Sequence, residues 1–125
     1  MTSILMLDRE LGFMWALGEE LWKRGMQAIP SSSINEAHNL LDAIQPQLHI
    51  LWIDCSMPRV CEFVEQIRAR YQSVKIIGVL SGKWRCKECA SEFAATLEDP
   101  EDRDPDNISY CANVVSSLVH ASGAG

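Results

Sequence analysis

Short unbroken apolar runs alternate along the chain with longer segments in which apolar residues return every three to four positions. "ILML", residues 4–7, is wholly apolar and ends at Asp8. From there Leu11, Met14, Trp15, Leu17, Leu21 and Trp22 keep helical spacing until Gly25 stops them. "MQAIPSSS" reads as a weak second strand with Pro30 near its end. Ser33 then caps a helix with apolar positions Ile34, Ala37, Leu40, Leu41 and Ile44, which closes before Pro46. "LHILWID", residues 48–54, is a near-continuous apolar third strand. Phe63, Val64, Ile67 and Tyr71 mark the next helical stripe, with Arg68 and Arg70 on its other faces, and "VKIIGVLS" is a fourth strand.

Beyond Ser81 the pattern weakens. "KWRCKECASEF" is compatible with a helix, "AATL" with a short fifth strand, "EDPEDRDPD" with an acidic loop, and residues 107–120 with a last helix before the tail "ASGAG". Two Asp-Pro steps disfavour regular backbone here, so the fifth strand and the helix before it are expected to be short or irregular.

Apolar strands without polar alternation are what a parallel sheet covered on both faces requires. Repeated strand–helix units then imply a parallel sheet with right-handed crossovers. In such a sheet the loops leaving the strands' carboxyl ends form the functional crevice. Asp8, Asp54 and Ser81 each stand at such an end, and the fold is expected to bring them together.

A length of 125 residues fits one domain, expected over residues 1–120 with a disordered tail at 121–125. With 47% hydrophobic and 22% charged residues the composition is that of a globular protein, and no apolar run approaches the roughly 20 residues a bilayer span needs. Asp8 and Arg9 come too early for a secretory signal, so the cytoplasm is the expected location. A net charge of −6 with scattered basic residues argues against direct nucleic-acid binding.

Five cysteines, at 55, 61, 86, 89 and 111, cannot all pair within one chain, and a reducing compartment makes them thiols. Cys86 and Cys89 in "CKEC" have the spacing of half a zinc site or of a redox dithiol. No second pair at matched spacing is visible, so both are expected to be reduced, metal-free thiols on a helix surface. His38, His49 and His120 lack ligand-like spacing, and Trp15 and Trp22 are expected in a helical core or interface. No phosphate-binding glycine loop or Ser-His-Asp order appears, which argues against an independent enzyme.

The ordered set "ILMLDRE", "HILWIDCSMP", "EFVEQIRARY" and "KIIGVLSG" resembles the receiver domain of two-component response regulators over about residues 3 to 120. That resemblance implies an α/β, flavodoxin-like, doubly wound sheet of five parallel strands in the order 2-1-3-4-5. It implies that Asp54 is the phosphoacceptor, Asp8 the first member of the acidic pair, and Ser81 the switch hydroxyl. Asp8 and Asp54 would then be the Mg²⁺ ligands. The output face would carry Trp84, Phe93, Ile108, Tyr110, Val114 and Val115.

The chain departs from the family's pattern where the chemistry is most demanding. Arg9 stands where the second acidic residue belongs, with Glu10 one position further on. The lysine expected after the fifth strand is missing, and Arg103 is the only basic residue near enough to contact a phosphate in its place. Asp8, Asp54 and Arg9 leave a local formal charge of about −1 where three carboxylates give about −3, so divalent-metal affinity should fall. A guanidinium about 4 Å from a carboxylate gains on the order of 4 kcal/mol before desolvation reduces it, so Arg9 is expected to pair with Asp8 or Asp54.

The expected function is therefore a divergent receiver or pseudo-receiver acting as a protein-interaction module in bacterial signalling, with no cofactor or weak Mg²⁺. Its partners would be proteins, a histidine kinase or an output domain or a second copy, with no membrane and no nucleic acid. Two alternatives stay open: a receiver that takes a phosphoryl group on Asp54 with Mg²⁺, and a cysteine-based redox or metal sensor on the same fold.

Overall fold

The computed structural model describes residues 2–44, 47–99 and 101–123. Five parallel strands form one sheet in the order β2-β1-β3-β4-β5. The strands are β1 (Thr2–Leu7), β2 (Met26–Ser31), β3 (Leu48–Asp54), β4 (Lys75–Leu80) and β5 (Phe93–Glu98). The helices are α1 (Leu11–Lys23), α2 (Ile34–Ile44), α3 (Val60–Arg70) and α4 (Ile108–Gly123). Pro30 lies inside β2, which is tolerated because β2 is an edge strand and its missing amide need not serve a second neighbour.

Alternate residues of the central strands feed two cores. Leu5, Leu7, Leu51, Ile53 and Ile76 pack with Ala37 and Leu41 of α2 and Phe63, Val64 and Ile67 of α3. Ile4, Met6, Ile50, Trp52, Ile77 and Val79 pack with Met14, Leu17 and Leu21 of α1 and Cys111, Ala112 and Val115 of α4. Ser33 caps α2 as expected, its hydroxyl accepting from the Glu36 amide at 3.1 Å. No helix among the described residues is long and apolar enough to cross a membrane.

Three details differ from the sequence reading. In α1 the buried stripe is Phe13, Met14, Leu17 and Leu21, whereas Trp15 and Trp22 point outward with 65% and 62% of their surface exposed, which excludes the core position and leaves the interface one. At about 100° per residue, positions 15 and 22 share a face one step round from the core stripe. Second, "KWRCKECASEF" forms no α-helix. Gly82 and Cys86 adopt positive φ, an antiparallel bridge joins Ser81 to Trp84, and only a 3₁₀ turn at Ala90–Glu92 precedes β5. Third, α4 continues through Gly123, into the stretch expected to be tail, while residues 124 and 125 lie outside the described residues.

β5 is six residues long like β1, β2 and β4, not the short strand expected, although its register against β4 shifts between Ile76 and Ile77. A Cβ at Gly78 would meet the Phe93 ring, so glycine in β4 lets Phe93 lie across the strand.

Candidate functional site

Asp8 follows β1 and Asp54 ends β3, and parallel pairing of Leu7 with Ile53 sets the two carboxylates side by side at the sheet's carboxyl edge. Both are buried, at 0% and 1% exposure. The third member was expected as a phosphate contact and instead meets the carboxylates themselves. Arg103, in the loop after β5, inserts its guanidinium between them with only 2% of its side chain exposed. Its Nη1 donates to Asp8 Oδ1, and also to Asp54 Oδ2 at 3.3 Å. Its Nε donates to Asp99 Oδ1 at 3.1 Å, and Nη2 pairs with Asp99 Oδ2 at 3.1 Å. The loop is shaped for this: Asp102 folds back so that its carboxylate accepts from the Glu98 amide at 2.8 Å.

Every oxygen of the two buried carboxylates has a donor. Asp8 Oδ1 also accepts from the Glu10 amide at 2.9 Å, and Oδ2 accepts from Trp52 Nε1 at 3.0 Å. Asp54 Oδ1 accepts from the Ser56 amide at 2.9 Å and hydroxyl at 2.7 Å, while Oδ2 accepts from Arg9 Nε at 3.1 Å. Among the described residues no buried side-chain nitrogen or oxygen lacks a partner.

The electrostatics follow from these contacts. Burial pushes the Asp8 carboxyl above its ordinary range, and the Glu10 amide, the Trp52 indole and Arg103 offset this only in part. Burial acts on Asp54 in the same sense, but hydrogen bonds from Ser56 and Arg9 and the charge of Arg103 outweigh it, so its pKa is lowered. Desolvation alone would ease deprotonation of Arg103, yet Asp8, Asp54 and Asp99 reverse this and hold the proton.

The two carboxylates therefore oppose each other in acid. Asp54, with its lowered pKa, contributes stability that is present above the ordinary carboxylate range and lost as pH falls through its folded value. Asp8, with its raised pKa, carries a cost of ionisation that is relieved as pH falls. In thermal melts from about pH 6 to about pH 3, Asp54→Asn is expected to flatten the acid loss of stability and Asp8→Asn to steepen it.

The donor set does not fit Mg²⁺. Octahedral coordination by oxygen needs carboxylates with free lone pairs facing a common centre. Here Arg103 occupies that centre, and Arg9 covers the remaining side of Asp54.

Of the residues singled out from sequence, Asp8, Asp54, Arg9 and Arg103 come together. Arg9 pairs with Asp54, and Arg103 contacts the carboxylates themselves. Glu10 contributes its amide, its side chain being exposed. Ser81 follows β4, held by its backbone to Trp84. The expected output face is only partly surface. Trp84 and Tyr110 are 47% and 48% exposed, whereas Val115 is buried, Ile108 and Val114 are half-buried against the core, and Phe93 packs over Gly78. Val115 is therefore a core residue, because the stripe of α4 that faces β3 and α1 runs through it.

Trp52, Ser56 and Asp99 are functional neighbours that the sequence reading did not assign. Ser56 stands two residues after Asp54, the spacing of a local carboxylate turn. Trp52 stands two before it, on the same face of the strand.

The cysteines also correct the sequence reading. Cys61 and Cys89 form a disulfide with Cα atoms 5.4 Å apart, so Cys89 is neither reduced nor on a helix. The linear spacing of "CKEC" hid this, because the partner comes from the start of α3. Cys86 and Cys55 are free and adjacent. A hydrogen bond between them raises the Cys55 thiol pKa and lowers that of Cys86. Burial pushes the Cys111 thiol up to about 11 on the other side of the sheet.

No known protein-family profile matches the chain, and no curated protein resembles it in sequence. Solved structures do. A streptococcal protein from a family of redox sensors that evolved from two-component response regulators superposes with a TM-score of 0.78 at 15% identity. That match covers 98% of this chain and 53% of the other, so the chain spans about half of that protein's length. The regulatory domain of the repressor of iron transport regulator, in its inactive form, gives 0.76 at 15% identity, covering 97% of each chain. A response regulator from Thermotoga maritima gives 0.73 at 14% identity, covering 94% and 97%. The fold of this chain is thus that of a response-regulator receiver domain.

Proposed function

We propose that the chain is a pseudo-receiver, a signalling module whose phosphoacceptor pocket is neutralised from within and which acts by contact with other proteins. The observation that carries this reading is the Arg103 guanidinium buried between Asp8, Asp54 and Asp99. Phosphoryl transfer to a carboxylate needs a free attacking oxygen and cations that neutralise the incoming charge. Both oxygens of Asp54 are engaged, and the positive charge is already spent on the resting carboxylates. An incoming phosphoryl group would have to expel Arg103 and leave Asp8 unpaired. The pocket is therefore a fixed structural element.

Contact with a partner protein is supported by the aromatic surface. Leu11, Trp15 and Trp22 are exposed along α1, beside a groove of about 480 Å³ that reaches Ala28 and Pro30 of β2. Exposed aromatic residues in a contiguous patch are typical of protein interaction sites.

A Mg²⁺ titration followed by tryptophan fluorescence tests the pocket, since the Trp52 indole donates to Asp8. The wild type is expected to give no saturable change at physiological Mg²⁺. Arg9→Asp should bind weakly, because Arg103 remains, and Arg9→Asp combined with Arg103→Ala should bind best. Saturable binding by the wild type in that range would favour a working receiver.

A further inference from the structure

Four of the five cysteines meet beside the neutralised pocket, although they come from three separate segments. Cys55 directly follows Asp54 at the end of β3. Cys61 is the second residue of α3, and Cys86 and Cys89 lie in the irregular segment before β5. The Sγ atoms of Cys61, Cys86 and Cys89 all lie within 4.8 Å of one another, and Cys55 lines the same groove as Cys61 and Cys86. Four thiolates around a tetrahedral zinc, with bonds of about 2.3 Å, have their sulfurs roughly 3.8 Å apart. The sulfurs of Cys61, Cys86 and Cys89 are thus already near that spacing, and Cys55 is the thiol on the same groove that can supply the fourth ligand.

The surroundings suit such a site. Cys55 and Cys89 are buried at 4% and 7% exposure, and Cys61 and Cys86 are half-buried, which makes a closed four-ligand site. The Cys86 carbonyl accepts from the Cys89 amide at 3.0 Å, and Cys86 has a φ of 52°, a turn that directs both thiols to one side. Four thiolates on Zn²⁺ carry two net negative charges, and Lys83 and Lys87 line the same groove. Among the described residues no α-helix lies between β4 and β5, so a metal cross-link would add to the few contacts that hold this segment.

We propose that Cys55, Cys61, Cys86 and Cys89 form a tetrathiolate zinc site, and that the Cys61–Cys89 disulfide is its metal-free, oxidised form. Conversion begins with a dithiol reductant. It gives two electrons and two protons to the disulfide, yielding two thiols, and is itself oxidised to a disulfide. Zn²⁺ then binds the four sulfurs as thiolates, and the thiol protons pass to solvent. The metal joins the end of β3, the start of α3 and the segment before β5, one residue from Asp54.

The test uses the full chain, reduced anaerobically and freed of reductant, then titrated with Co²⁺ and with Zn²⁺. One equivalent of Co²⁺ should give tetrahedral visible bands and a thiolate charge-transfer band of four-sulfur intensity, and Zn²⁺ should displace it one for one. Cys55→Ser, Cys61→Ser, Cys86→Ser and Cys89→Ser should each weaken binding by more than the roughly 100-fold typical of outer-shell changes. Cys111→Ser, in the opposite core, should bind as the wild type does. Far-ultraviolet circular dichroism of each variant checks folding. Three outcomes would overturn the proposal: no stoichiometric metal in the reduced chain, a three-sulfur spectrum unaffected by Cys55→Ser, or reversible thiol–disulfide cycling without metal binding. None of them bears on the Arg103 pocket.

Discussion

Arg103→Ala is expected to destabilise the fold by about 3–5 kcal/mol, read as a lowered urea midpoint with an unchanged slope. The guanidinium answers three carboxylates, two of them almost wholly buried, and its removal leaves Asp8 with a donor lost and no counter-charge. Breaking a buried ion pair from one side costs far more than the pair contributes, because the remaining charge stays desolvated. Arg103→Lys keeps the charge but cannot reach all three carboxylates, so its loss should be intermediate. Adding Asp8→Asn to Arg103→Ala should recover part of the loss. Strict additivity of the two substitutions would show that they do not interact.

Trp52→Ala should cost about as much, roughly 3–5 kcal/mol, through a different mechanism. Trp52 is fully buried in β3, its ring stacks on Phe13 with centroids 6.0 Å apart, and its indole nitrogen supplies one of the donors to Asp8. Trp52→Phe separates these roles: most of the packing survives while Asp8 Oδ2 loses its donor. A loss of about 1–3 kcal/mol is expected for that unsatisfied acceptor, with the Asp8 pKa moving further up. Thermal and urea unfolding of both variants measures the difference.

The sheet was legible in the sequence because its signals are local. Runs such as residues 4–7 and 50–53 exclude polar residues on both faces, which a covered parallel strand requires. The paired carboxylates were legible for the same reason, since Asp8 and Asp54 stand directly after such runs. Irregularity after β4 was expected, but what holds that segment was not legible, because a disulfide and a bridge between Ser81 and Trp84 leave no periodic trace. Whether Trp15 and Trp22 lie in the core or at an interface stayed open in the sequence, because large apolar side chains at helical spacing look the same whether they line a core or its flank.

Arg103 shows the limit most clearly. Its sequence neighbours, "EDPEDRDPD", read as an acidic loop; the family resemblance offered Arg103 as a phosphate contact, but nothing local says that it pairs with the carboxylates themselves. Its role depends on sequence separations of 95 and 49 residues to Asp8 and Asp54. The i,i+4 pairing with Asp99 was the one nearby trace. Arg9 was read correctly as a partner for a carboxylate, and the structure selects Asp54.

The central claim is that Asp54 no longer accepts a phosphoryl group, and intact-mass spectrometry after incubation with a small acyl phosphate and Mg²⁺ tests it most directly. The account predicts that the wild-type mass stays unchanged while a working receiver treated alongside becomes labelled. A stoichiometric phosphoryl adduct on the wild type, absent from Asp54→Asn, would contradict it.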